Sequence, residues 1–102
     1  MLNDYGKRFR KKASGTSSAT ATQSAESGKT HYITDISASS DTSGAVIQVK
    51  DGTTVIWEAI IGQNTSYEHS FRTPLAGTKG NAVSVSVDGT SVCKANIAGF
   101  TI

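Results

Sequence analysis

The stretch that decides the fold is residues 44–61, which reads GAVIQVKDGTTVIWEAII. Two runs rich in β-branched residues flank Asp51 and Gly52, a dipeptide favoured in two-residue hairpin loops because those loops need positive φ angles. The only tryptophan, Trp57, follows this turn. The stretch predicts a β-hairpin, and because an isolated hairpin is marginally stable in water, further strands must cover it.

Alternating apolar and polar residues predict those further strands in the second two-thirds of the chain. The segments are THYITDISA at 30–38, TSYEHSFR at 65–72, AVSVSV at 82–87 and SVCKANI at 91–97, with GFTI at 99–102 closing the chain. Residues 74–81 read as a loop, and Asp88 with Gly89 as a second hairpin turn. No helical period is present there. We therefore predict an all-β fold, a small antiparallel β-sandwich or barrel of six to seven strands.

Two strands carry specific expectations about their faces. Alternation in the first places Tyr32 and Ile36 on one face, and His31 and Ile33 on the other. The strand after the Asp51–Gly52 turn is apolar on both faces, which is typical of a strand covered on both sides. One side is then the domain core. We predict that Ile56 and Ile60, on the other side, form an interface between subunits.

The size and composition of the chain limit its classes. It has 102 residues, one cysteine and two histidines, so it can form no internal disulfide and shows no cluster typical of a metal site. We expect residues 30–102 to be the folded domain, which is small enough to need either oligomerisation, as a trimer or dimer, or docking on another protein for extra stability. No run of 18 apolar residues and no signal peptide are present, which predicts synthesis in the cytoplasm and no membrane partner.

Charge is unevenly distributed along the chain. Residues 1–12, MLNDYGKRFRKK, hold five basic residues and one acidic residue, whereas the remainder holds five basic and seven acidic ones. Residues 13–29 are almost wholly Ala, Ser, Thr and Gly, which is typical of a flexible or extended linker. We therefore predict that residues 1–29 are a basic N-terminal arm and linker.

Three interpretations of this arm are open: a solvated tail, a docking peptide, or a nucleic-acid arm. Nucleic acid is an unlikely partner because the remainder of the chain adds no positive charge to such a footprint. We favour a docking peptide with one apolar face at helical spacing and cations elsewhere. Its predicted partner-binding residues are Leu2, Tyr5, Lys7, Arg8, Phe9, Arg10, Lys11 and Lys12.

Residues that could carry chemistry are few and scattered. His31 and His69 lie on different predicted strands, and Cys93 alternates with apolar residues as a buried thiol does. Glu58 and Glu68 occupy the polar faces of their strands, and the glycines near residue 78 precede no helix that could bind phosphate. The sequence predicts no catalytic residue, no metal and no cofactor, and thus no enzyme.

Three segments carry a resemblance to a known family: HYITDIS at 31–37, DGTTVIW at 51–57 and PLAGTKGNAV at 74–83. Small β-sandwich virion proteins of tailed bacteriophages show a similar HY-(I/V)-T-x-I-S strand, a DG-x-T-V-(I/L)-W hairpin and a P-L-x-G-T-x-G-N-A-V loop. The chain resembles this family over roughly residues 30–98, and the basic arm departs from its pattern.

The resemblance implies a non-enzymatic virion structural protein. The preferred assignment is a head decoration (cement) protein on the capsid surface. Its partner would be the major capsid protein, with the arm docking on neighbouring coat subunits. A tail, neck or head-fibre accessory protein is the alternative within the family. A β-sandwich module that binds a glycan or host surface, around Trp57 or the loop at 74–81, is the alternative outside it.

Overall fold

The part of the chain that the structure describes is built from strands. The structure is a computed structural model and describes residues 7–40, 45–62, 65–89 and 92–102. Eight strands follow one another along these ranges: β1 (Lys7–Gly15), β2 (Ser18–Gln23), β3 (His31–Ser40), β4 (Ala45–Asp51), β5 (Thr54–Ile61), β6 (Thr65–Ala76), β7 (Val83–Asp88) and β8 (Cys93–Thr101).

The strands form two four-stranded antiparallel sheets packed face to face. Sheet I has the order β1-β8-β3-β6, and sheet II has the order β2-β7-β4-β5. Except for the β4–β5 hairpin, each strand is followed in the chain by a strand of the opposite sheet. Eight strands connected in this way form a jelly roll. The prediction of an all-β antiparallel sandwich is confirmed, with eight strands in place of six or seven.

The hairpin at residues 45–61 forms as predicted, with its loop displaced by one residue. Asp51 pairs with Thr54, so the two loop residues are Gly52 and Thr53. Gly52 has a φ of 63°, the left-handed conformation that a residue without a Cβ adopts at little cost. The ladder shifts register next to Val49, which places an irregularity in β5.

The core lies between the two sheets and is made of small and β-branched side chains. The inward valines of β7 and the inward face of β8 are buried as predicted, together with the inward face of β4. The largest apolar side chains that are almost fully buried are Ile33, Ile47, Ile97, Val49, Val83, Val85 and Val87.

The predicted arm and linker need correction over the described residues. Residues 7–15 and 18–23 are not a helical peptide and a loose linker but the strands β1 and β2 of the sandwich. Ala19 and Ala21 point into the core, with only 5% and 2% of their surface exposed, and pair with Val87 and Val85. The boundary predicted at residue 30 therefore falls within the sandwich. Small alanines suffice here because the valines opposite them fill the space between the sheets.

Two predicted turns also differ. Asp88 and Gly89 do not close a hairpin, because β7 belongs to sheet II and β8 to sheet I. The loop predicted at 74–81 begins later, since β6 continues to Ala76. Pro74 lies in β6, an edge strand of sheet I, where the missing amide hydrogen is tolerated.

A bulge explains why the predicted faces of β3 are wrong. The pairing of β3 with both neighbours shifts between Ile33 and Asp35. An extra residue in one strand reverses the alternation beyond it. As a result His31 and Ile33 point inward before the bulge, and Ile36 points inward after it.

Candidate functional site

The strand β1 is an edge strand of unusual charge. It pairs with β8 alone among the described strands. Residues 7–12 read KRFRKK, so five of the six side chains are cationic, and all five are exposed. Only Phe9 in this run is partly buried. No ion pair forms within the described residues to neutralise these cations, so β1 presents an open row of positive charge.

Alternation along β1 divides the cations between two sides. Phe9 and Ala13 pack against the core. Side chains alternate along a strand, so the second set of residues points its side chains away from the core, on the outer face of sheet I. That set contains Arg8, Arg10 and Lys12. Neighbours of the same set on a strand are roughly 6.7 Å apart. The folded sandwich therefore holds three cations in a straight, regularly spaced row.

The backbone amides and carbonyls of β1 also alternate, between those directed to β8 and those directed to the free edge. Thr30, directly before β3, and Ile102, directly after β8, exchange two backbone hydrogen bonds of 2.8 and 3.0 Å. The amide and carbonyl of Ile102 therefore point toward the β3 side. Because these directions alternate along an antiparallel strand, Thr101, Gly99 and Ile97 point theirs toward β1. Their partners are Lys7, Phe9 and Lys11.

The backbone amides and carbonyls of Arg8, Arg10 and Lys12 face the free edge of β1. These residues pair with Phe100, Ala98 and Asn96, whose own amides and carbonyls point toward β3 rather than toward β1. The same three residues therefore carry both the cations on the outer face and the backbone groups directed to the free edge.

A buried histidine anchors β1 and the segment after β2. The His31 ring is fully buried; its Nδ1 lies 2.6 Å from Thr101 Oγ1 and its Nε2 lies 2.7 Å from the Ser24 carbonyl oxygen. Since a carbonyl only accepts, Nε2 carries the hydrogen that it donates to Ser24. The Phe9 ring meets His31 edge-on, with centroids 5.6 Å apart. Thus Phe9 is held in place by a side chain whose polar atoms are both satisfied.

Gly99 provides the room that Phe9 occupies. A Cβ built on Gly99 would collide with the Tyr32 carbonyl oxygen and lie 2.8 Å from Cζ of Phe9. Real Cβ atoms do not approach other heavy atoms so closely. Only glycine therefore allows β8 to lie between β1 and β3 with Phe9 packed over it.

A polar groove lies on the outer face of sheet I beside this row. Its volume is about 400 Å³, with Arg10 at one side and Glu68 at the other. Asp35 lines it as well and accepts hydrogen bonds from Ser70 Oγ at 2.6 Å and Thr34 Oγ1 at 2.9 Å. The carboxylates thus lie across the groove from β1, and the cationic side of sheet I is its β1 edge.

The opposite side of the sandwich holds an aromatic cluster. Trp57 of β5 lies between the sheets with its ring centroid 5.9 Å from that of Tyr67, 5.2 Å from that of His69 and 5.6 Å from that of Phe71. All four side chains are half-buried. They fill the opening between β5 and β6, so Trp57 contributes to packing and keeps part of its surface exposed.

The predicted interface residues on β5 are exposed. Ile60 has 74% of its surface exposed and Ile56 has 37%. Val46 of β4 and Ala59 line a shallow apolar depression beside Ile60. β5 is an edge strand of sheet II. The structure brings an apolar patch to a sheet edge, and the assignment of Ile56 and Ile60 as an oligomer interface stays a prediction.

The other predicted residues fall as follows. Leu2 and Tyr5 lie outside the described residues, and the other six predicted partner-binding residues lie on β1. Cys93 is buried, and Glu58 and Glu68 are exposed on different sheets. Within the described ranges, no group of three or more His, Cys, Asp or Glu side chains could hold a metal ion. No helix in those ranges is long and apolar enough to cross a membrane.

Asp51 fastens the β4–β5 turn to the loop after β6. Its carboxylate accepts hydrogen bonds from the Thr78 amide at 2.9 Å, the Thr78 hydroxyl at 2.6 Å and the Asn81 amide group at 3.2 Å. Burial acts to raise the pKa of Asp51, but these hydrogen bonds outweigh it and lower the pKa below its ordinary value. The ionised carboxylate is therefore part of the folded structure.

Sequence reasoning missed two features of this site. One is the role of His31, whose partners Ser24 and Thr101 are far apart in the sequence, so no local pattern indicated them. The other is β2, for which a signal existed: SATATQ alternates alanine with β-branched threonine. The free edge of β1 follows from the pairing of the first strand with the last and could not be predicted from local sequence.

Comparison with known proteins yields similarity of fold. No protein-family model matches this chain, and no curated protein matches it. An insecticidal delta-endotoxin from Bacillus thuringiensis is similar over 87% of this chain, with a TM-score of 0.52 and 16% identity; the chain spans 19% of that toxin. The coat protein of tobacco streak virus gives a TM-score of 0.52 and 16% identity over 98% of this chain and 89% of that one. At such identities, the likeness shows the fold alone.

Proposed function

We propose that this chain is a non-enzymatic structural protein of a tailed-phage virion, which binds and stabilises the capsid as a decoration protein. The observation that carries the proposal is the exposed row of cations on β1, held in fixed geometry by the sandwich. The major capsid protein is the proposed partner, through a negatively charged surface. The family resemblance of residues 31–37, 51–57 and 74–83 supports the phage setting.

The geometry changes how the docking element works. A cationic peptide on a loose linker loses conformational entropy when it binds, whereas a strand already in a sheet has lost it on folding. Arg8, Arg10 and Lys12 are therefore preorganised for a surface of matching charge. The apolar residues Leu2 and Tyr5 remain proposed contacts of the same partner.

We also propose that the chain acts as a homo-oligomer, dimer or trimer, joined through Ile56 and Ile60. An oligomer would present several copies of β1 to the capsid at once, and such multivalency raises overall avidity without new contacts. β1 and β5 are edges of different sheets, so both surfaces can be used together.

The test uses phage particles that lack this chain. The unaltered protein should co-sediment with them, and the variant R8E/R10E should not, because it reverses two charges of the row. The matched control is K29E/K79E, which makes the same change in net charge at exposed positions outside β1. Equal binding by both variants would show that β1 does not dock on the capsid. A tail or neck location would appear as binding to tails in place of heads.

A second candidate function is glycan binding by the Trp57 cluster. The supporting observation is that Trp57, Tyr67 and Phe71 are only half-buried at the opening between β5 and β6. Aromatic rings that keep an exposed part are suited to contacts with ligands. A glycan array probed with the unaltered chain and with Trp57→Phe tests this; signals that are equal for both proteins, or missing for both, count against the Trp57 site.

A further inference from the structure

Two edge strands of sheet I, β6 and β1, differ in what prevents them from pairing with a strand of another chain. Unpaired amides and carbonyls make any edge strand a template for another chain, and proteins block such edges with charge, proline or bulges. β6 carries Pro74 and an irregular ladder. β1 carries five cations, which would repel the same strand of a second copy. The charge on β1 thus blocks self-pairing without blocking a strand of opposite charge.

From this we propose that β1 binds an extended acidic segment of its partner as an additional strand of sheet I. The inference rests on the proposed function, and it names the chemistry of the capsid surface that β1 recognises. Strand addition of this kind combines main-chain hydrogen bonds, which supply affinity, with side-chain contacts at alternate positions, which supply specificity. The partner segment has acidic residues at every second position.

The direction of the main-chain groups supports this pairing. The amides and carbonyls of Arg8, Arg10 and Lys12 face the free edge, since those of Lys7, Phe9 and Lys11 are directed to β8. Residues directly opposite each other on paired strands point their side chains to the same face. A strand bonded to residues 8, 10 and 12 therefore places its own alternate side chains beside three cations.

Most of the surrounding charges favour the same occupant; the exception is Glu26, which lines a groove together with Lys7 and Lys11. The carboxylates of Asp35 and Glu68 lie on β3 and β6, on the far side of β8 from β1. A strand added at the free edge lies on the other side of β1, so it is separated from Asp35 by three strand spacings, roughly 14 Å. Repulsion from these carboxylates is thus weak beside the attraction of the adjacent cations.

The experiment uses a capped seven-residue peptide with glutamate at positions one, three, five and seven and valine between them. A second peptide has the same sequence with N-methyl groups on the glutamates, which removes the amides facing β1 and keeps every charge. We expect the unmethylated peptide to bind at low salt and the methylated one to bind at least about tenfold more weakly, since the loss of main-chain hydrogen bonds of ordinary strength corresponds to roughly that factor.

Amide hydrogen exchange provides a site-specific measurement. In the free protein, the amides of Arg8, Arg10 and Lys12 should exchange quickly, and those of Phe9 and Lys11 slowly. Binding of the unmethylated peptide should slow the first set and leave the exchange of β5 amides unchanged. Equal affinity for both peptides, or no change in exchange at residues 8, 10 and 12, would overturn the proposal.

The outcome is separable from that of the capsid experiment. If R8E/R10E fails to bind particles while methylation makes no difference, the capsid function stands and strand addition is wrong. If R8E/R10E binds particles normally and the peptide still protects residues 8, 10 and 12, β1 accepts an acidic strand from some other partner. If R8E/R10E binds both the peptide and the particles as tightly as the unaltered protein does, both proposals fail.

Discussion

The two open sides of the sandwich are built on different principles. On one side, β1 and β2 are joined by a short turn and packed against each other, and the exposed edge of β1 is cationic. On the other side, β5 and β6 have little contact, and aromatic rings around Trp57 fill the space between them. β5 adds exposed isoleucines and a single charged residue, Glu58.

This difference gives one small fold two surfaces of different character, for which we propose separate partners. The β1 side carries like charges, which exclude a second copy of itself and favour a partner of opposite charge. β5 is mostly apolar and carries one charged residue, Glu58, so a second copy meets little repulsion there. The following predictions test whether each side is folded and used in this way.

The largest effect on stability should come from a charge placed on the buried face of β2. Ala21→Asp would bury a carboxylate without a partner between the sheets, where only 2% of the alanine surface is exposed. We expect a loss of about 4 kcal/mol in the free energy of unfolding, measured by urea denaturation. The control is Thr22→Asp, one residue along on the exposed face, which should change stability by less than about 0.5 kcal/mol.

This pair separates a packed strand from a linker. If residues 18–23 were solvated, both aspartates would be harmless, and equal unfolding curves for the two variants would remove β2 from the sandwich. Because β2 supports β1, that result would also remove the fixed geometry on which the capsid proposal depends.

The two histidines test the anchoring of the two sides. His31→Ala removes a fully buried ring, and with it the hydrogen bonds to Ser24 and Thr101. We expect a loss of about 3 kcal/mol, because a cavity forms and the buried Thr101 hydroxyl loses its partner. His69→Ala, in the half-buried cluster around Trp57, should cost about 1 kcal/mol.

Chemical denaturation of both variants measures the difference. A larger loss for His69→Ala would mean that the aromatic side, and not the β1 side, is the more tightly anchored. Exchange of the Phe9 amide should also accelerate in His31→Ala alone, since Phe9 packs on the ring.

The sequence predicted the central strands and missed the basic side for a physical reason. Val83, Val85 and Val87 alternate with serines, and such large contrasts in hydrophobicity mark a strand clearly. Ala19 and Ala21 alternate with threonines, where the contrast in hydrophobicity is small, so the composition of this segment predicts a linker. Their burial depends on the valines opposite, which lie more than sixty residues away.

The candidate site was predicted in composition but not in conformation. Lys7, Arg8, Arg10, Lys11 and Lys12 were identified by charge alone, which needs no knowledge of structure. Leu2, Tyr5 and Phe9 fit a helical period, yet Phe9 lies on a strand because β8 pairs with it. Pairing between the first and last strands, like the bulge at Asp35, arises from contacts that no local window contains.

A smaller and pH-dependent effect should appear at the β4–β5 turn. The hydrogen bonds from Thr78 and Asn81 lower the pKa of Asp51 in the folded state. The stability that they contribute is therefore present above the unfolded pKa and is lost as the pH falls through the folded pKa. We expect Asp51→Asn to lose about 1 kcal/mol at pH 7, because the side chain is half exposed.

The measurement is urea denaturation of both proteins at pH 7 and at pH 3. The difference between the unaltered protein and Asp51→Asn should narrow at the lower pH. Asp88→Asn, at an exposed carboxylate on β7, is the control and should show a smaller difference at both pH values. A gap for Asp51→Asn that does not change with pH would contradict the role of its charge.

The smallest effect on stability should come from Ile60→Lys on β5. Ile60 is 74% exposed, so the substitution should change the free energy of unfolding by no more than about 0.5 kcal/mol. Its effect on assembly should be large, since a lysine would give β5 the same protection against a second copy that β1 already has. Val92→Lys, at an apolar side chain outside β5 that is 48% exposed, is the matched control. Analytical ultracentrifugation should show an oligomer for the unaltered chain and for Val92→Lys, and a monomer for Ile60→Lys. If the unaltered chain is itself a monomer, β5 does not join copies, and avidity on a capsid cannot come from this edge.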